Sequence, residues 1–343
     1  MTLVTALALL GGAVLLALAL HSWWRMRRAA PRQGVAMAQP EAPQRQDPAF
    51  GFEHDTQPEL PPGLRHPQRR EPRLDAFIDA LVPLVLETPS SGEAVLAALP
   101  SARHVGSKPF HVEGLDVETG LWEPVAAGRR FSELQAGVQM VNRHGPLNEI
   151  EYSEFVQRVE ALAEAVGARA DIPDMLDVVA RARQLDSQAV PLDAQLTVVL
   201  RSNGVAWSVG YVQQVALRQG FVAGAVKGRW VLPAQEEAAP PLLTLAIDAL
   251  AALAEEPQAA VVRECTLALD VPQTPASAEP YPAFHRAATA LAEDLDAAVV
   301  DDHGEPITLH AFKAIGEELE RLYRGLEQLD LAAGSAAARR LFS

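Results

Sequence analysis

Asp301, Asp302 and His303 are the residues whose types and spacing come closest to chemistry, since two carboxylates beside an imidazole could bind a cation. Consecutive side chains at a strand end point in different directions, however, and Asp-Asp-His-Gly is ordinary turn composition, so a turn is expected there and no catalytic or metal role. No Gly-rich phosphate loop follows a strand pattern, no GxSxG elbow appears, and no His/Cys spacing fits a metal site. His104, His111, His144, His285 and His310 are scattered and read as surface or packing residues, and Trp122, Trp207 and Trp230 as core edges. The single cysteine, Cys265, lies in the apolar run ECTLALDV and reads as a buried strand residue. It permits no internal disulfide, which agrees with a reducing compartment. Neither an enzyme nor a cofactor is expected.

The elements that would position any site begin with a membrane anchor. Residues 1–20 carry no charged side chain, and Trp23, Trp24, Arg25, Arg27, Arg28 and Arg32 follow. About 20 apolar residues in a helix cross the hydrocarbon core, so 1–24 read as one span. The basic flank lies C-terminal to it, which places the N-terminus outside and the rest of the chain in the cytoplasm. A cleaved signal peptide would want its basic residues before the apolar run. The formal net charge of −15 repels phosphate backbones, so no nucleic-acid partner is expected. Residues 25–72 are basic at first, then rich in Pro and Gln with few aliphatic side chains, and read as a disordered linker with a reach on the order of 35 Å.

From Leu74 the chain reads as globular and repeats itself. DALVPLVLET, Asp79 to Thr88, aligns without gaps on DAQLTVVLRS, Asp193 to Ser202, and both read as strands. FVQRVEALAEAVGA from Phe155 lies over FHRAATALAEDLDA from Phe284, with apolar residues at Phe155, Val159, Leu162, Val166 and at Phe284, Ala288, Leu291, Leu295, one helix face in each. Two copies of one α+β domain follow, over 73–190 and 191–332, with 333–343 as a flexible tail.

In the second copy the pattern predicts a strand over Asp193 to Arg201 and a helix with Tyr211, Val215 and Leu217 as its stripe, ended by Gly220. Strands over Val226 to Leu232, Leu242 to Leu250 and Val261 to Val271 come next. After the matched helix a short strand AVVDD leads into a final helix with a stripe of Leu309, Phe312, Ile315, Leu319, Leu322, Leu326 and Leu329. The fold class expected is α+β: an antiparallel sheet with helices on one face, its other face open. The first copy is expected to lack the closing strand pair, its helix running on to another at Asp174 to Leu185 with Met175, Val178, Val179 and Ala182 as the apolar set.

This order of elements, with DVP at Asp270 to Pro272, ALAEDLDAAVVDD at Ala290 to Asp302 and VVDDHGEPITLHAFKAIGEELERL, resembles the C-terminal domain family of the bacterial cell-division protein ZipA. The layout of anchor, Pro/Gln-rich linker and terminal domain resembles it too. The extra first copy is a departure. The resemblance implies an inner-membrane adaptor, its N-terminus periplasmic and its final helix Thr-capped, whose partners are lipid and the C-terminal tail of the tubulin-like protein FtsZ, with no small-molecule substrate. The family's groove falls here on Thr197, Val199, Val226, Ala246, Asp248, Thr266, Ala268 and Asp270. Better-known members carry an aromatic where Ala268 stands, so this surface is smaller and more polar. The alternative is a membrane-tethered regulatory domain binding a small ligand between two sheets.

Overall fold

The computed structural model describes residues 74–236, 239–254, 260–307 and 309–343. The expected anchor, the linker and Thr308 lie outside the described residues, as do the side chains of Leu309 and His310. No helix among the described residues is long and apolar enough to cross a membrane. The chain is a mixed α+β protein that divides into two compact units between Ser187 and Gln188.

The first unit runs β1 (Asp79–Ser91), α1 (Gly92–Ala98), β2 (His104–Val105), β3 (Lys108–Asp116), β4 (Trp122–Pro124), β5 (Arg130–Gln139), β6 (Val141–Asn142), β7 (Gly145–Pro146), α2 (Glu149–Val166), β8 (Ala168–Ala170) and α3 (Met175–Ala189). Its sheet is antiparallel in the order β2-β3-β5-β1-β8, with β4 paired to β3. Strand alternation sends Ala80, Val82 and Leu84 to one side with Phe110, Leu134, Ala136 and Val138, where they are buried along with Phe155, Val159 and Leu162 of α2. α2 starts in a capping box built by Asn148 and Glu151 and ends at Gly167, whose φ of 68° suits a residue without Cβ. The chain then turns straight into β8, which pairs Ala168, Arg169 and Ala170 with Leu86, Val85 and Leu84. The first unit therefore has the closing strand that the sequence reading denied it. Three residues of Ala-Arg-Ala carry no apolar alternation, and only backbone pairing defines them. In α3, Val178, Val179, Ala182 and Leu185 are buried, whereas Met175 is partly exposed.

The second unit runs β9 (Gln195–Ser202), β10 (Trp207–Ser208), α4 (Val209–Arg218), β11 (Val222–Ala223), β12 (Arg229–Leu232), β13 (Leu243–Ala246), α5 (Ala249–Ala252), β14 (Val261–Val262), β15 (Glu264–Asp270), α6 (Pro280–Leu295), β16 (Ala297–Val300), α7 (Leu309–Gln328) and α8 (Ala336–Leu341). Its antiparallel sheet has the order β11-β12-β13-β15-β9-β16. The core gathers Val198, Leu200, Leu245, Cys265, Leu267 and Leu269 beneath Val212 and Val215 of α4 and Phe284, Leu291 and Leu295 of α6. Leu319 of the final helix is buried outside that core. Leu217 is exposed; Val212 and Ala216 complete the α4 stripe in its place. Gly220, at φ 85°, follows the last turn of that helix.

Three expected strands change their limits. The strand placed over Leu242 to Leu250 stops at Ala246, because Asp248 accepts the N–H groups of Leu250 and Ala251 and starts α5. The strand from Val226 begins only at Arg229, after a turn closed by the Arg229 N–H on the Val226 carbonyl. Val261 to Val271 is broken at Arg263, and β14 pairs with β10 outside the main sheet. Residues 333–343, expected as a flexible tail, contain α8, capped by Ser335, with Leu341 and Phe342 buried and Gln273 Nε2 donating to the carbonyls of Arg339 and Phe342.

Candidate functional site

Cross-strand pairing lines up the outward residues of the second sheet in rows. Ala246 pairs with Thr266 and Thr266 with Val199, so one row runs across β13, β15 and β9. Arg229 extends it on one side and Val300 on the other. The next row is Val231, Thr244, Ala268 and Thr197. Beyond it Asp270 sits opposite Gln195, whose Nε2 donates to Asp270 Oδ2 at 3.2 Å. At the other end Arg201 Nε meets Glu264 Oε1 at 2.7 Å. The centre of this face is thus small and apolar, with polar ends.

Six of the eight residues singled out from the sequence come together here: Thr197, Val199, Ala246, Thr266, Ala268 and Asp270. Two do not belong to the strip. Asp248 is spent as the N-cap of α5, and Val226 sits in the β11–β12 turn, 58% exposed. The side chains between the six, Leu245, Leu267, Val198 and Leu200, point the other way under α6. Period-two alternation fixes both faces at once.

Pairing in the first unit makes a second outward face that the sequence reading did not resolve. Its rows are His111–Gly137–Leu81, Pro124–Glu113–Gln135–Pro83 and Trp122–Leu115–Glu133–Val85–Arg169. The signal was present in the alternation of Phe110, Val112 against His111, Glu113 and Leu115. Bulkier side chains stand here than on the second sheet, and Val85 is 47% exposed. Leu74 lies over the first row: a Cβ on Gly137 would come within 2.5 Å of Leu74 Cδ2. Its N–H donates to Glu113 Oε1 at 3.2 Å, and Gln135 Nε2 donates to Glu113 Oε2 at 3.4 Å.

The acidic turn forms as its composition implies. Asp301 Oδ1 accepts the N–H groups of Glu305 and His303 at 2.8 and 3.0 Å, and the Glu305 N–H leads in holding that carboxyl below its usual range. His303 and Asp302 are 3.7 Å apart and largely exposed. No group of three or more His, Cys, Asp or Glu among the described residues could hold a metal ion. Cys265 is buried, and burial pushes its thiol up to about 12. A thiol that stays protonated is no nucleophile. Trp207 is fully buried, its Nε1 donating to the Leu295 carbonyl at 2.8 Å, and Trp230 is 4% exposed. Between α2 and α3 a shallow groove is lined by Glu149, Ile150, Ser153, Glu154, Gln157 and Met175.

Comparison with protein-family models finds no match to this chain. Comparison with curated proteins finds none either.

Proposed function

We propose that this chain is an inner-membrane adaptor of bacterial cell division that tethers FtsZ by holding its C-terminal tail on the open face of the second sheet. The observation that carries the binding part is the pair of adjacent rows Ala246–Thr266–Val199 and Thr244–Ala268–Thr197, on the side of the sheet away from α4 and α6. The cell-division part rests on the sequence resemblance. A strip of Ala, Thr and Val lacks the large anchors that dominate most interfaces, so the ligand's own apolar side chains supply the bulk. The charged ends set its register more than its affinity. The protein acts as a binding module, not an enzyme. The span over residues 1–24 holds it at the membrane, and the two units are copies of one domain. Their sheets support that reading: with β4 and the edge strand β11 set aside, β2-β3-β5-β1-β8 and β12-β13-β15-β9-β16 follow the same strand order, and a helix precedes the last strand in each.

The test is a titration of the full chain with the FtsZ tail peptide, comparing wild type with Ala268→Lys. Lysine at this half-buried outward position folds without burying a charge but sets a strongly hydrated ammonium under the ligand. Affinity should fall at least tenfold, or about 1.4 kcal/mol, with the melting temperature nearly unchanged. Equal dissociation constants for the two proteins would remove the second sheet from the reading.

A further inference from the structure

In the first unit a buried lysine, Lys108, stands beside a half-buried hydroxyl, that of Ser107, away from the rows of either open sheet face. Val105 of β2 pairs with Lys108 of β3 across the turn Gly106-Ser107. Gly106 takes a φ of 54°, and a Cβ there would come within 2.3 Å of Glu151 Oε1, so glycine lets the start of α2 close on this turn. Glu151 Oε1 accepts the Ser107 N–H at 3.0 Å and fixes the serine in place. The β6–β7 hairpin, in which Asn142 pairs with Gly145, supplies two further partners. Lys108 Nζ lies 2.7 Å from Asn142 Oδ1, 2.6 Å from the Gly145 carbonyl and 3.0 Å from Ser107 Oγ. These partners suit a neutral amine as well as an ammonium. An amine keeps two N–H donors, for the two shorter contacts, and turns its lone pair to Ser107, whose hydroxyl then donates. None of the three acceptors is a carboxylate, so loss of the proton breaks no hydrogen-bonded ion pair. Burial lowers the pKa of Lys108, against the charges of Glu151 on α2 and Asp186 on α3, which raise it. Ser107 Oγ is also 3.4 Å from Glu151 Oε1, the longer of its two contacts, and its hydrogen turns there while Lys108 is charged.

We propose that Ser107 is a nucleophile with Lys108 as its base, and that it accepts an acyl group from an activated ester or thioester. Oγ bonds to the acyl carbon as its proton passes to Nζ; the bond from that carbon to the leaving oxygen or sulfur breaks, and Nζ hands the proton to the leaving group. Nothing is oxidised or reduced. The Ser107 N–H, which would otherwise steady the developing oxyanion, is engaged by Glu151. Only a donor with a good leaving group therefore reacts, and the plain serine ester that forms persists. The site performs one acyl transfer per chain and does not turn over, and it lies in the first unit, apart from the strip on β9, β13 and β15. His104 on β2, Arg143 and His144 in the β6–β7 turn and Arg158 on α2 are the other ionisable groups of the elements that meet here. Arg158 donates to the His104 carbonyl at 3.0 Å, and the His144 N–H to Asn142 Oδ1 at 3.1 Å.

The probe is p-nitrophenyl acetate on the full chain, read by peptide mass mapping after brief exposure. An acetyl group should appear on Ser107 about a hundredfold faster than on Ser153, an exposed serine of α2 whose Oγ donates to the Glu149 carbonyl. Alkaline hydroxylamine should remove it, as it does an ester. Lys108→Met removes the base and should slow labelling of Ser107 about a hundredfold. Should that variant fail to fold, Glu151→Gln decides. It keeps an oxygen for the Ser107 N–H but removes a charge that raises the lysine's pKa, so the pH midpoint of labelling should move down. Replacing His104 and His144 together by Gln should leave the labelling of Ser107 as it is. Ser107 labelled no faster than Ser153, or an adduct on Lys108 that resists hydroxylamine, overturns the proposal. So does a pH midpoint unmoved by Glu151→Gln, or labelling lost with the two histidines, which would make one of them the base.

Discussion

Lys108 is a charged side chain in an interior place, 1% exposed on β3. Its Nζ donates to Asn142 Oδ1 at 2.7 Å, the Gly145 carbonyl at 2.6 Å and Ser107 Oγ at 3.0 Å, all neutral acceptors. Desolvation lowers its pKa, outweighing the attraction of Glu151 and Asp186. In the unfolded chain a lysine titrates near 10.4. Between the lowered folded value and about 10.4 the unfolded state binds more protons than the folded one, so stability from this group rises with pH through that window. Denaturant unfolding of wild type and Lys108→Met at pH 7 and pH 10 isolates it. Wild type should gain on the variant at the higher pH, since the variant has nothing to titrate there. A difference that is flat or shrinks with pH contradicts the assignment. The same residue-level logic explains Asp248: its type and position suited an outward strand residue, but an aspartate followed by helix-forming Ala and Leu is stabilised more by capping than by strand pairing.

At the scale of elements, caps decide where the pieces stop and what they hold. Asn148 Oδ1 accepts the N–H groups of Ile150 and Glu151, and Glu151 Oε2 accepts that of Asn148. Glu151 Oε1 also accepts the Ser107 N–H at 3.0 Å, so this helix start fastens the β2–β3 turn. Asn148→Ala should cost about 1 kcal/mol, within the usual 0.5–2. Glu151→Ala should cost more, because it releases the turn as well. A thermal melt ranking the two in the opposite order would show that the turn is held otherwise. Elements with a strong period were legible from sequence: β1, β9 and β15 by alternation, α2 and α6 by apolar steps of four, three and four. Elements defined by backbone pairing or by caps were not, among them β8, α5 and α8. The outward strip was legible for the same reason as the strands that carry it. The first sheet's face was passed over, because β3 alternates but the glycines and glutamates of β3 and β5 weaken its apolar set.

Across the whole molecule, agreement between the units reaches single positions. Phe155 and Phe284 are both fully buried. Gly167 and Asp296, twelve residues further on in each, are the left-handed residues that end α2 and α6 and release the chain into β8 and β16. Asp at such a position is strained less than a branched residue would be, since its short polar side chain tolerates the left-handed region. A left-handed residue at the matched place, a common way for a helix to end, agrees with the proposed duplication alongside the matched apolar steps. On the proposed reading, the anchor and the binding face are separable properties of one chain. Deleting residues 1–28 should move the protein from the membrane fraction to the soluble one, because the apolar run needed to cross the hydrocarbon core goes with it. Affinity for the tail peptide should stay within about twofold, since the strip on β9, β13 and β15 is untouched and a twofold change is only about 0.4 kcal/mol. A truncated protein that still pellets with membranes would place the attachment in the folded units. One that is soluble but no longer binds would make the strip depend on the membrane.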